Sequence, residues 1–163
     1  MTILVIMIII VAVAIGVSVM ANQSIGFLEV TQPYVNFMDR SFHTRRMASQ
    51  SSFAEIGAIY YSVVIAISPC SLVYTIIFLY FPPRWNLGSK YRMGQRLMAI
   101  PAALLLSAFS VLVIYSMKGQ DIRYFQLGSS FVQMLALGWG VFAFCGFLVG
   151  FSAIVVWKTI SGH

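Results

Sequence analysis

Residues 3–20, 56–80, 97–117 and 131–157 contain no Lys, Arg, Asp, Glu or His, and most of their positions are Ile, Val, Leu, Phe, Met or Ala. About 20 apolar residues in a helix cross a hydrocarbon layer about 30 Å thick. All four runs reach or approach that length. A water-soluble helix this long would keep a polar face, and none of these does. The pattern predicts an all-α membrane protein with four transmembrane helices in one bundle. A single membrane domain would cover residues 1–163, with an outer loop over 21–55 and a basic inner loop over 81–96.

Composition closes the soluble alternative. Hydrophobic residues make up 60% of the chain and charged residues 9%, against about a quarter charged in soluble domains. The first run resembles a secretory leader in position, and Val19, Met20 and Ala21 would suit cleavage. It lacks a basic start and its apolar core exceeds the usual 7–15 residues, so a retained first transmembrane helix is expected.

The formal net charge of +6 belongs to membrane-flanking loops, where anionic headgroups are the default partner. Nucleic acid is not an expected partner. Arg40, Arg45 and Arg46 in the 21–55 loop are balanced by Glu29, Asp39 and Glu55, worth little energy if exposed. Arg84, Lys90, Arg92 and Arg96 crowd the short 81–96 loop without an acid. Short, dense basic loops stay inside. That places both termini and this loop on the cytoplasmic or matrix side, with the four basic residues setting orientation or meeting lipid headgroups. Tyr60 and Tyr61 at one end of the second run, Tyr80 and Trp85 at the other, and Tyr115, Tyr124 and Trp157 read as interfacial anchors.

Prolines punctuate the spans. Pro82-Pro83 ends the second run. Pro101 is expected in the first turn or so of the third helix, and Pro69 is expected to kink the second. After Pro33, Tyr34, Met38 and Phe42 recur every four residues, the pattern of a short interfacial helix. A polar link over 48–52 would follow.

Chemistry is sparse. Ionisable residues inside a bilayer mark proton paths, ion sites or substrate contacts, and these runs hold none. His43 and His163 lie outside them, so a haem-bearing helix pair is not expected. Cys70 and Cys145 lie within spans and form no CxxC, which leaves them as packing residues. Neither a GxSxG nucleophile motif nor a phosphate-binding glycine loop is present. No catalytic residue, cofactor or metal is assigned, and the protein is expected not to be an enzyme.

Small residues four apart point instead to contact. Ala12 with Gly16, Ala136 with Gly140, and Gly146 with Gly150 let helix backbones approach, and packing then drives association in lipid. Ala103 and Ser107 repeat the spacing in the third run. These grooves would take the chain's own helices, other membrane subunits or a copy of itself.

The long 21–55 loop, the basic 81–96 loop and the lack of catalytic residues give a layout that resembles the four-span immunity proteins of bacterial inner membranes, which guard against pore-forming toxins. That resemblance carries no motif and implies protein binding within the membrane. The thiol-oxidising four-span proteins are a poorer likeness, since their outer-loop cysteine pairs are missing. The leading expectation is an accessory or structural subunit of a respiratory, secretion or transport complex. An immunity or exclusion protein comes second, and an oligomeric channel or small-solute transporter third. A bacterial inner membrane or a mitochondrial inner membrane would suit all three.

Overall fold

The computed structural model describes residues 2–80, 93–116, 118 and 128–161. Helices account for nearly all of them: α1 (Thr2–Gln23), α2 (Ile25–Phe42), α3 (Thr44–Ala48), α4 (Ala54–Val64), α5 (Ile67–Tyr80), α6 (Met93–Ser116) and α7 (Phe131–Ser161). No strand occurs among the described residues. Four helical segments are long and apolar enough to cross a membrane: α1, α4 together with α5, α6 and α7. Arg84, Lys90 and Arg92, with Pro82-Pro83, Trp85 and Tyr124, lie outside the described residues; Arg96 is carried on the first turn of α6.

Proline effects depart from the expectations in informative ways. The second span is broken rather than kinked, with a turn at Ile65 and Ala66. Pro69 has no N–H to offer the Ile65 carbonyl four residues back. That carbonyl instead accepts from Ser68 N–H at 3.2 Å. Pro101 was expected near a helix start, yet α6 begins at Met93 and continues through it. Lipid-span helices tolerate such a proline where neighbours satisfy the backbone.

The first loop is more helical than its periodicity suggested. Ser24, in extended geometry, caps α2 through a 3.4 Å bond from Phe27 N–H to its hydroxyl. The helix therefore starts at Ile25 and includes Pro33, well before the segment expected after that proline. A hydroxyl cap at the right spacing outweighs an interior proline here. His43 ends α2 in left-handed geometry at φ 54° and turns the chain directly into α3. Histidine tolerates that region better than bulky or branched residues.

Helix α7 is the spine. It packs extensively against α5 on one side and α6 on the other, while α1 lies against α4 and α5. The spans thus follow the order α1, α4–α5, α7, α6, with α1 and α6 at the two edges. Thr2 and Ile3 of α1 share a cavity with Tyr74, Ile77 and Phe78 of α5. Leu104 of α6 shares one with Val156, Trp157 and Ile160 of α7. α1 therefore runs antiparallel to α4–α5, and α6 antiparallel to α7, while α5 and α7 run parallel, as Ser68 beside Phe142 and Leu72 beside Gly150 show. The start of α1, the end of α5, the start of α6 and the end of α7 meet at one end. The α2–α3 segment, Lys118 and residues 128–130 occupy the other.

The second end is closed by backbone bonds across the chain. Gln50 N–H donates to the Lys118 carbonyl at 2.7 Å and Ser52 N–H to the Gly128 carbonyl at 2.9 Å. Arg46 stacks over the Tyr115 ring at 4.3 Å from its centroid, and Phe53 meets Phe131 with ring centroids 5.4 Å apart. The expected polar link over 48–52 is a seam that ties α3 and α4 to the end of α6 and the start of α7.

Candidate functional site

Tyr60 and Tyr61 were expected at the headgroup level. Both are instead fully buried, at 0% exposure, two turns into the second span. The Tyr60 hydroxyl donates to the Leu135 carbonyl at 3.0 Å and accepts from Trp139 N–H at 3.1 Å. Those two backbone groups are the acceptor and donor that a regular α-helix joins to each other, so Tyr60 plugs into one turn of α7. Its ring fits because residue 138 has no side chain: a Cβ there would stand 2.8 Å from Tyr60 Cε1. A buried phenol needs a partner for its hydroxyl, and the backbone of α7 supplies two. Desolvation is answered by a neighbouring helix, not by the headgroup region.

The same seam continues down α5. Ser68 Oγ donates to the Phe142 carbonyl at 2.9 Å and Ser71 Oγ to the Ala143 carbonyl at 2.7 Å. A carbonyl already bonded within its helix keeps a second lone pair for such a donor. Two glycines allow the approach. A Cβ at Gly146 would run into the Ser68 carbonyl, and one at Gly150 would stand 2.9 Å from the Leu72 carbonyl. Other span hydroxyls bond within their own helix, as Thr75 does to Ser71, Ser110 to Leu106 and Ser152 to Leu148. Ser18 Oγ and the Tyr61 hydroxyl are buried without a protein partner among the described residues.

The small-residue positions divide into two groups. Gly146 and Gly150 lie against α5. Gly16 and Gly140 have nothing within 4 Å of where a Cβ would stand, and Ala12 and Ala136, one turn before them, are exposed. On α1 the residues that do pack inside the chain are Ala14, Ser18 and Ala21. Ala103 is buried, whereas Ser107 lines a groove of about 370 Å³ between α6 and α7. Gly57 and Gly138 were not singled out from the sequence. Gly57 faces Ala48 of α3, 3.0 Å from an added Cβ. No sequence signal marks Gly138, since Tyr60 sits near the start of its apolar run and reads as an interfacial ring.

At the other end, α2 and α3 form a cap on α4. Tyr34 donates its hydroxyl to the Ser62 carbonyl at 3.0 Å, and Ser62 Oγ donates to the buried Thr44 hydroxyl at 3.1 Å. Burial pushes the Tyr34 phenol above its ordinary value. Val35 fills the contact at 1% exposure. Polar residues of α2 gather around the exposed Arg45 of α3. Its Nη2 donates to Gln32 Oε1 and Asn36 Oδ1, both at 2.7 Å, and its backbone N–H donates to Asp39 Oδ1 at 2.8 Å. Arg40, Arg45 and Arg46 were expected to give local charge balance to the acids of this loop; at Arg45 neutral amide oxygens hold the guanidinium, and the Asp39 carboxylate takes the backbone N–H. The outer side of α2 exposes Val30 and Phe37 alongside Glu29 and Arg40.

Between these elements lies a cavity of about 150 Å³ lined by Gln32, Val35, Arg45, Ala54, Glu55 and Ala58. Cys70 and Cys145 are free thiols, half-buried and buried. No group of three potential metal ligands occurs among the described residues.

Fold and seam together define an all-helical protein with four helices fit to cross a membrane, compatible with an integral membrane protein. No protein-family model, curated protein or solved structure matches the chain.

Proposed function

We propose that this protein is a non-catalytic, membrane-embedded subunit of a larger helical assembly, of the kind that builds respiratory, secretion or transport complexes. The unequal use of its glycines carries this reading. Gly57, Gly138, Gly146 and Gly150 are each filled by the chain's own atoms, whereas Gly16 and Gly140 face open space. Glycine costs a helix about 1 kcal/mol relative to alanine. An open glycine one turn after an open alanine, on two separate helices, suits the close approach of a helix from another chain. The edge position of α1 leaves its outer face free to take such a neighbour. Uncharged spans agree with a role in contact, since intramembrane chemistry ordinarily needs an ionisable group there.

The host membrane in this reading is a bacterial inner membrane or a mitochondrial inner membrane. The basic 81–96 loop and both termini lie on its cytoplasmic or matrix side by positive-inside weighting.

Extraction in mild detergent followed by native mass spectrometry tests the proposal. The wild-type chain is expected in stoichiometric complex with other membrane proteins. Gly16→Leu or Gly140→Leu should keep the fold, because space is open at both sites, and should lose those partners. A wild-type chain that is monomeric under every mild condition would overturn the reading. A homo-oligomer broken by the same substitutions would replace the mixed assembly with self-association.

A further inference from the structure

The cavity under the α2–α3 cap has the chemistry of a site for a zwitterionic phosphoamine group. It places a cation and an anion on one wall set without joining them. Arg45 and Glu55 both line it, and among the described residues they make no ion pair within 4.0 Å. Arg45 is fixed through Nη2 by Gln32 and Asn36. Both are neutral oxygens, so the guanidinium is oriented while its charge remains uncompensated by contact. Its remaining N–H groups form the fork that suits phosphate oxygens. Glu55, in the first turn of α4, offers a carboxylate to an ammonium. Val35, Ala54 and Ala58 supply a small apolar floor.

Size and position narrow the ligand. Water occupies about 30 Å³ per molecule in the liquid, so a cavity of about 150 Å³ is several waters in size. That is room for a headgroup and too little for a whole lipid. Helix α2 turns Gln32 and Val35 toward the cavity and exposes Val30 and Phe37 alongside Glu29 and Arg40. The cavity opens beside the exposed Arg45, Ala54 and Glu55, where the second candidate span begins, which is headgroup level for a helix that crosses a bilayer.

We infer that this cavity binds a phosphoethanolamine group, its phosphate on Arg45 and its ammonium on Glu55. The inference stands apart from the subunit reading, because it concerns a different face and a different ligand.

Native mass spectrometry of the detergent-solubilised full chain provides the test, with phosphatidylethanolamine and phosphatidylglycerol added as probes in turn. The first carries the ammonium and the second does not. Expected is one retained phosphatidylethanolamine per chain, bound several-fold more tightly than phosphatidylglycerol. Glu55→Gln should erase that preference while leaving the fold intact, since Glu55 makes no hydrogen bond or ion pair among the described residues. Arg45→Lys keeps the charge and loses the fork, and should weaken both lipids together. Soluble phosphoethanolamine is the second arm: competition by it at equal concentration assigns a free source, and failure to compete assigns the lipid. Equal binding of the two lipids, or a preference that survives Glu55→Gln, would overturn the inference.

Discussion

The seam between α5 and α7 and the outer face of α1 are built from similar residues and used in opposite ways. Both are apolar, and both carry glycine four residues from another small residue. In the seam, Gly146 and Gly150 bring two backbones together, and Ser68 and Ser71 bond across the contact. On α1, Gly16 and Ala12 face outward with nothing against Gly16. In lipid no hydrophobic force separates the two cases, since acyl chains are as apolar as leucine. What separates them is steric fit with a donor nearby: the seam gains van der Waals contact and hydroxyl–carbonyl bonds, and the α1 face has neither within this chain.

Breaking the seam should have the largest effect. Gly146→Val forces a side chain into the Ser68 carbonyl and should destabilise the protein by about 3 kcal/mol, as overpacking does. Gly16→Val offers the control and should change thermal unfolding in detergent by less than about 0.5 kcal/mol. Equal losses at the two sites would erase the distinction. Tyr60→Phe comes next. Removing its hydroxyl leaves the ring in place over Gly138 but strands the Leu135 and Trp139 contacts, at about 1–2 kcal/mol. Ser68→Ala and Ser71→Ala should each cost about 0.6 kcal/mol, the average for interhelical bonds in a membrane protein. Full additivity of the two would show that they act as separate ties.

The cap should respond locally. Arg46→Ala removes the stack on Tyr115, worth about 0.5–1 kcal/mol at an exposed site. Hydrogen exchange at Gln50 and Ser52 should quicken while the α5–α7 amides stay protected. Tyr34 gives the smallest effect and a pH signature. Its folded-state value lies above the ordinary 10.0 because burial disfavours the phenolate. Its neutral form therefore contributes stability that is complete below about pH 10. That contribution fades as pH rises through the raised value. Tyr34→Phe should flatten this alkaline loss in a pH series of unfolding midpoints.

Residues that misled the sequence reading did so for one reason. Tyr60 and Tyr61 sit near the start of an apolar run, where rings usually mark the headgroup level, and only a partner 75 residues away along the chain explains the burial of Tyr60. Pro33 looked like a helix boundary until Ser24 proved to cap the helix before it. Arg45 read as one of three arginines balancing the acids of its loop, but Gln32 and Asn36 hold its guanidinium. Each error weighed a local signal against a contact that the local window does not contain.

The four long helices were readable from residue order alone, because transfer into hydrocarbon is a sum over neighbouring residues and a backbone in lipid must bond within itself. Which helices touch was not readable. When every face of a helix is apolar, periodicity no longer marks the buried one. Only the tertiary structure decided that Gly146 would be filled and Gly16 left open, that α7 would be the spine, and that Tyr60 would find its bonds in a helix backbone. Close packing depends on shapes brought together from distant parts of the chain.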